Sequence, residues 1–256
     1  MSAVQLTEHG PVLVMTLDRP EVLNAVDGTM TRALVAAIDR LERSPALRVG
    51  LLTGAGRAFC AGLDMKAVAA GMPIAETRHP RWGFAGLTSR VVRKPLVGAL
   101  NGDAVGGGLE IALACDLIVA AEHARIGLPE VRRGVFAAGS GVYRLARQLP
   151  ARIAKDLLLT GRLMPAGEAA GWGLINAVRP ADEVFDVALR MARTSALNAP
   201  LAVEATKKLA DLGLAPTDPQ AIELQEAATR RVLGSSDARE GMLAFVEHRP
   251  PSFLGR

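Results

Sequence analysis

The stretch GGGLE, residues 106–110, follows the small-residue run 97–105 and leads directly into the apolar residues 111–114. Glycine gives up more backbone freedom on folding than any other residue, and a carboxylate resists leaving water. Five such residues where a strand hands over to a helix therefore lower stability unless they serve another purpose. Free backbone N–H groups at a helix start stabilise an anion, helped by the helix dipole, and without side chains they let another molecule's oxygen come close. Glu110 falls in the first helical turn between Leu109 and Ile111, Ala112 and Leu113. That setting leaves two readings open: a first-turn surface carboxylate, or a charge held beside an anion site.

The surrounding pattern makes the junction part of an α/β fold. Val12, Val14 and Leu17 predict a strand that the polar stretch 18–21, with Pro20, brings to an end. From Asp27, a suitable N-cap, Met30, Leu34, Ile38 and Leu41 recur at helical spacing. Val49, Leu51 and Leu52 predict a buried strand running into Gly54-Ala55-Gly56; a helical segment and a Pro-, His- and Arg-rich loop (73–82) then precede a strand over 96–100. Strand, helix, strand, glycine turn and helix in this order call for crossover connections. After the glycines, the pattern gives a helix over about 108–115, a strand over 116–119 and a short strand over 125–127 before Leu128-Pro129-Glu130. Beyond residue 196 strand signals fade, and 199–213, 219–233 and 236–247 read as helices. The expected organisation is an α/β core over 1–195 and a helical region over 196–256.

Composition narrows the function classes. Of 256 residues, 50% are hydrophobic and only 4% aromatic, which excludes disorder and suits one substantial core. Asp103, Glu110 and Asp116 interrupt the most apolar region, and the first ten residues lack a basic segment followed by an apolar one, so neither a membrane span nor a secretory signal is expected. A cytoplasmic protein follows. Cys60 and Cys115 lack CxxC spacing and read as small core residues. The net charge of +4 is spread over pairs such as Arg132-Arg133, Lys207-Lys208 and Arg230-Arg231, which suits an anionic small ligand and not a nucleic-acid groove.

Familiar glycine and metal motifs fail on particular residues. A dinucleotide fingerprint beginning at Gly54 needs glycine at 59, which is Phe. No Gly-Lys-Ser/Thr occurs, and a nucleophile elbow around Gly139-Ser140-Gly141 needs glycine at 138, which is Ala. His9, His79, His123 and His248 have no ligand spacing, so no metal site is expected.

Six segments in order resemble the enoyl-CoA hydratase/isomerase, or crotonase, superfamily: LDRPEVLNA at 17–25, GRAFCAGLDMKAV at 56–68, NGDAVGGGLEIALACDLIVA at 101–120, ARIGLPEVRRGV at 124–135, TGRLMPAGEAAGWGLIN at 160–176 and DAREGMLAFVEHRPPSF at 237–253. The resemblance implies a spiral core of repeated β-β-α turns, followed by helices that assemble a homotrimer or a dimer of trimers. It implies an acyl-CoA thioester as substrate, with no separate cofactor. The thioester oxygen would sit between the backbone N–H groups of Leu63, just after Ala61-Gly62, and Gly107. Glu110 would be the base that orients water, and Glu130 the partner that supplies the proton to Cα. Val22, Ala61, Gly62, Asp64 and Gly106 fall at positions lining the substrate, and Lys66 fits a phosphate contact as readily as a solvated helix face. Phe245 and Arg249 are the nearest counterparts of residues that reach a neighbouring subunit's CoA.

The chain also departs from the family's pattern. The segment 136–143 reads FAAGSGVY where many relatives have a Pro-Gly-Ala-Gly-Gly-Thr-Gln run, and Glu21 stands where Lys or Arg is common. Met72, Pro73, Ile74, Trp82 and Phe84 in the loop 70–90 suit either an acyl-chain cover or ordinary packing. The leading expectation is an enoyl-CoA hydratase; a Δ3,Δ2-enoyl-CoA isomerase and a non-catalytic acyl-CoA-binding protein are its rivals.

Overall fold

The computed structural model describes residues 2–71, 79–213 and 219–256, and the elements below are those among them. Met72, Pro73 and Ile74 lie outside the described residues.

Two sheets form the core. In the larger, β1 (Val4–His9) and β2 (Val12–Leu17) make an antiparallel hairpin. β2 then pairs in parallel with β3 (Val49–Gly54), and the sheet continues in parallel through β5 (Leu96–Leu100), β7 (Leu117–Ala121) and β10 (Ala177–Arg179). The smaller sheet runs β4 (Ala58–Cys60), β6 (Asp103–Val105), β8 (Arg125–Gly127) and β9 (Met164–Pro165), with the last pair antiparallel. β3, β5 and β7 each cross within a few residues to β4, β6 and β8, so the chain winds in repeated strand–strand–helix turns. Parallel strands buried on both faces demand near-continuous apolar runs, and all five residues of β5 are buried.

The helices follow from capping and periodicity. α1 (Gly28–Arg43) begins where Asp27 Oδ1 accepts the Met30 N–H at 2.8 Å, and it buries Met30, Leu34, Ile38 and Leu41 as its spacing predicts. α2 (Met65–Ala69) and α3 (Gly107–Ala112) close the first two spiral turns. They are followed by α4 (Gly141–Gln148), α5 (Ala151–Thr160), α6 (Ala166–Gly171) and α7 (Val184–Ala196), which lays Val184, Ala188 and Ala192 against the large sheet. α8 (Pro200–Leu212), α9 (Pro219–Leu233) and α10 (Ser236–Val246) complete the chain without further strands. No helix among the described residues is long and apolar enough to cross a membrane.

Three local differences from the sequence expectation have physical causes. α3 ends at Ala112, short of 115, because Ala114 donates to the Ile111 carbonyl and Cys115 to the Ala112 carbonyl, the tighter i→i−3 pattern. β4 and β6, three residues each, are too short to display a period. β1 is an edge strand with mostly exposed residues, so its alternation is masked.

Candidate active site

The spiral brings two backbone amides together by crowding out side chains. Val26 donates to the Gly62 carbonyl at 2.7 Å and Asp64 to the Val26 carbonyl at 3.0 Å, a parallel bridge that turns the Leu63 N–H the other way. Gly107 is the first residue of α3, so its N–H has no intrahelical acceptor. Gly62 holds φ at +89°, and a Cβ there would lie 2.9 Å from Gly107 N and 2.8 Å from the Val105 carbonyl oxygen. Only glycine permits this approach, which places the Leu63 and Gly107 amides side by side. A Cβ on Gly108 would strike the Cys60 carbonyl, and one on Gly107 would strike the Phe84 ring. The triple glycine is thus required by backbone-to-backbone contact as well as by access.

Glu110 is 4% exposed, which removes the surface reading. Its Oε1 accepts the Gly141 N–H at 2.8 Å, so a carboxylate from α3 satisfies the first free amide of α4. Burial pushes its carboxyl above the usual range; the Gly141 and Gly139 amides oppose the shift, and the charge of Glu130 adds to it. Gly139 and Gly141 press so closely on the Glu110 carboxylate that a Cβ at either position would clash with it.

Glu130 reaches the other glycine turn, 106–108, from a 3-10 helix, Pro129–Arg133, that follows β8. A Cβ on Gly106, where φ is +60°, would be 3.1 Å from Glu130 Oε1. Its other oxygen, Oε2, is buried and has no hydrogen-bond partner among the described residues. Burial pushes this carboxyl up too, against the pull of its own backbone N–H and of Arg133. Two carboxylates with raised proton affinity, one against Gly139 and Gly141 and one against Gly106, thus flank the start of α3, where the Leu63 and Gly107 amides have no acceptor among the described residues. Such an arrangement can move protons at one place while holding an oxyanion at another.

The remaining predicted residues divide. Ala61 is exposed and donates to the Leu23 carbonyl at 2.9 Å, next to half-buried Val22, so these two do lie on one edge. Lys66 is exposed in the first turn of α2. Asp64, expected among the substrate contacts, is instead the N-cap of α2: Oδ1 accepts from Lys66 and Ala67, and Oδ2 from Arg19 at 3.0 Å. Burial works against its ionisation, but the Ala67 amide, Arg19 and the Lys66 amide hold its carboxyl below the usual range. Arg249 needs a similar correction, because its guanidinium is paired with both oxygens of Glu240 and with Glu247. Phe245 is 82% exposed on α10, away from the carboxylates. Trp82 is engaged by His79, stacked at 3.8 Å, and by the Arg90 guanidinium 4.0 Å from its ring centre. Phe84 touches the glycine turn, where a Cβ on Gly107 would strike its ring.

Sequence reasoning missed Gly139 and Gly141. The Gly-Ser-Gly signal reads as a nucleophile elbow or, within 136–143, as a departure from the family's pattern, and neither reading connects it to Glu110.

The comparisons agree with this geometry. The family model described as enoyl-CoA hydratase/isomerase matches residues 7–256. A carnitinyl-CoA dehydratase of Proteus mirabilis is 41% identical over 260 residues, covering 99% of each chain. An enoyl-CoA hydratase structure from Mycobacterium marinum superposes with a TM-score of 0.95 at 38% identity, and a carnitinyl-CoA hydratase structure from Mycobacterium avium with 0.81 at 42% identity, each covering 100% of both chains. With the spiral, the glycine turns and the two glutamates already in place, the chain belongs to the enoyl-CoA hydratase/isomerase family.

Proposed function

We propose that this protein hydrates 2-enoyl-CoA thioesters reversibly. The observation that carries the reading is the placing of two carboxylates of raised proton affinity, Glu110 against Gly139 and Gly141 and Glu130 against Gly106, at the glycine run that starts α3 with the Gly107 amide. Addition of water to a conjugated thioester places negative charge on the thioester oxygen, where two preorganised donors act; one such donor is worth about 3–4 kcal/mol in comparable sites. Glu110, which accepts the Gly141 amide at 2.8 Å, is the ionised partner: it takes a proton from water as the oxygen attacks Cβ. The double-bond electrons move toward the carbonyl oxygen. Glu130, with an orphaned buried oxygen, is the protonated partner and delivers its proton to Cα. Reversal of these steps expels water from a 3-hydroxyacyl thioester.

A second reading is favoured by the 41% identity to the Proteus mirabilis relative: dehydration of carnitinyl-CoA, the same chemistry on a different acyl group. Both readings are tested by following the absorbance of the enoyl thioester with crotonyl-CoA and carnitinyl-CoA in parallel, using wild type, Glu110→Gln and Glu130→Gln. Turnover of either substrate that collapses in both variants supports the two-carboxylate mechanism and names the acyl group. Retention of activity in Glu130→Gln on a 3-enoyl substrate points to a one-base isomerase. Binding without any absorbance change overturns hydration and dehydration together.

A further inference from the structure

Ser140 takes no part in the proposed hydration, yet it holds φ at +83°, a conformation that glycine adopts freely and serine does not. Its neighbours Gly139 and Gly141 cannot carry side chains, because both press on the Glu110 carboxylate. Residue 140 is the one position of the three with room for a side chain. It is 5% exposed, and its Oγ lies 2.7 Å from the hydroxyl oxygen of Ser89. Ser89 belongs to the loop that bears Phe84, whose ring covers Gly107. A second tie joins the same two segments: Arg144 on α4 donates from Nε to the Thr88 carbonyl at 3.1 Å.

We infer that Ser140 is a positioning residue whose hydroxyl, clasped by Ser89, locks the left-handed turn that aims the Gly141 amide at Glu110. The inference rests on the reading of Glu110 as the base. The clasp makes the amide donor to Glu110 dependent on the Phe84 loop, so one hydrogen bond links the proton-transfer side of the site to the oxyanion side. Around Glu110, the titratable or charged side chains on the packed elements are Glu130, Cys60, Asp103, Tyr143, Arg144 and Arg147. Asp103 is paired with Arg125, and Arg144 and Arg147 donate to backbone carbonyls. Glu130 is the one whose charge bears on Glu110.

The test reads the ionisation of Glu110 without requiring turnover. The full-length protein is labelled with 15N-glycine, and the Gly141 amide resonance is followed against pH, with Glu110→Gln as the blank. Loss of donors disfavours the carboxylate, so Ser89→Ala and Ser140→Ala should each raise the midpoint by about half a pH unit or more. Ser140→Gly should do the same, since relief of strain does not replace the hydroxyl. The double variant should shift no further than either single variant, and Ser89→Thr should keep the wild-type midpoint. In parallel, kcat on crotonyl-CoA should fall severalfold with KM changed less than twofold. Unshifted midpoints in Ser89→Ala and Ser140→Ala, additive shifts, or a wild-type titration in Ser140→Gly would overturn the inference. A wild type that titrates as expected but turns over no thioester would sink the hydratase reading instead, and the two failures are thereby separable.

Discussion

Between residues 105 and 141 two carboxylates are withdrawn from water and six glycines leave little or no room for a Cβ beside ring, carbonyl or carboxylate atoms, whereas α8 has no fully buried residue and α10 leaves Phe245 82% and Val246 72% exposed. An open cavity of about 530 Å³, lined by Ala199, Met242, Phe245 and Phe253 among others, lies in the second region, far from the carboxylates. The contrast teaches where this chain gives up stability. Around the glycines each awkward feature has a chemical use: positive φ brings amides together, and burial raises proton affinity. In the C-terminal helices the apolar surface is merely uncovered, so single side chains there have few contacts to lose.

The largest effect expected from this contrast is on Glu110. Glu110→Gln should lower kcat on the responsive thioester by about 10²–10⁴-fold while leaving the fold intact, since glutamine still offers an oxygen to the Gly141 amide. Steady-state kinetics with circular dichroism as a control reads both. Gly139→Ala should come next. Its Cβ meets the Glu110 carboxylate and Phe84, an overpacking that costs about 1–3 kcal/mol, readable as a drop in denaturant midpoint accompanied by lost activity. An unchanged midpoint would show that the 139–141 turn yields more easily than its contacts imply.

A smaller effect concerns pH. Glu130 has a raised folded-state proton affinity, so its protonated form favours the fold at low pH, and that contribution is lost as pH rises from its ordinary value of 4.5 through the raised one. Glu130→Gln cannot ionise. Its Tm should therefore gain on that of wild type as pH increases from about 4.5 to 8, and a gap that narrows over this range would contradict the burial argument. The smallest effect is expected at Leu233, 64% exposed at the end of α9. Leu233→Ser should change stability by no more than about 0.5 kcal/mol in chemical denaturation. A larger loss would mean that this face is covered in solution, and the contrast between the two regions would then belong to the single chain only.

Much of the fold was legible because its signals are local. Asp27 as cap, the α1 spacing, the 96–100 and 125–127 strands and the three C-terminal helices are written within short windows. The other strands of the second sheet, β4, β6 and β9, were not legible, because strands of two or three residues acquire their identity from partners far along the chain. The site divided in the same way. Glu110, Glu130, Leu63 and Gly107 were named from family motifs; in the structure both carboxyls have raised proton affinity and the Gly62–Leu63 backbone packs against Gly107. The roles of Gly139 and Ser140 arise from packing of α4 against α3, which no local pattern announces. Asp64 and Arg249 show the converse: a charged residue inside a motif looks available until its ion-pair partners, Arg19 and Glu240, are seen beside it.

Arg19 has a consequence of its own. One guanidinium bonds Asp64, lies 3.3 Å from Asp27 and donates to the Ala25 carbonyl, so it joins the caps of α1 and α2 on either side of the Val26–Leu63 bridge. Without that cation, two sheltered carboxylates would confront each other across the strand that carries the Leu63 amide, where mobile salt screens poorly. The same two residues that start the helices would then act as a wedge, and the spacing of the oxyanion donors would depend on how much repulsion the bridge can bear.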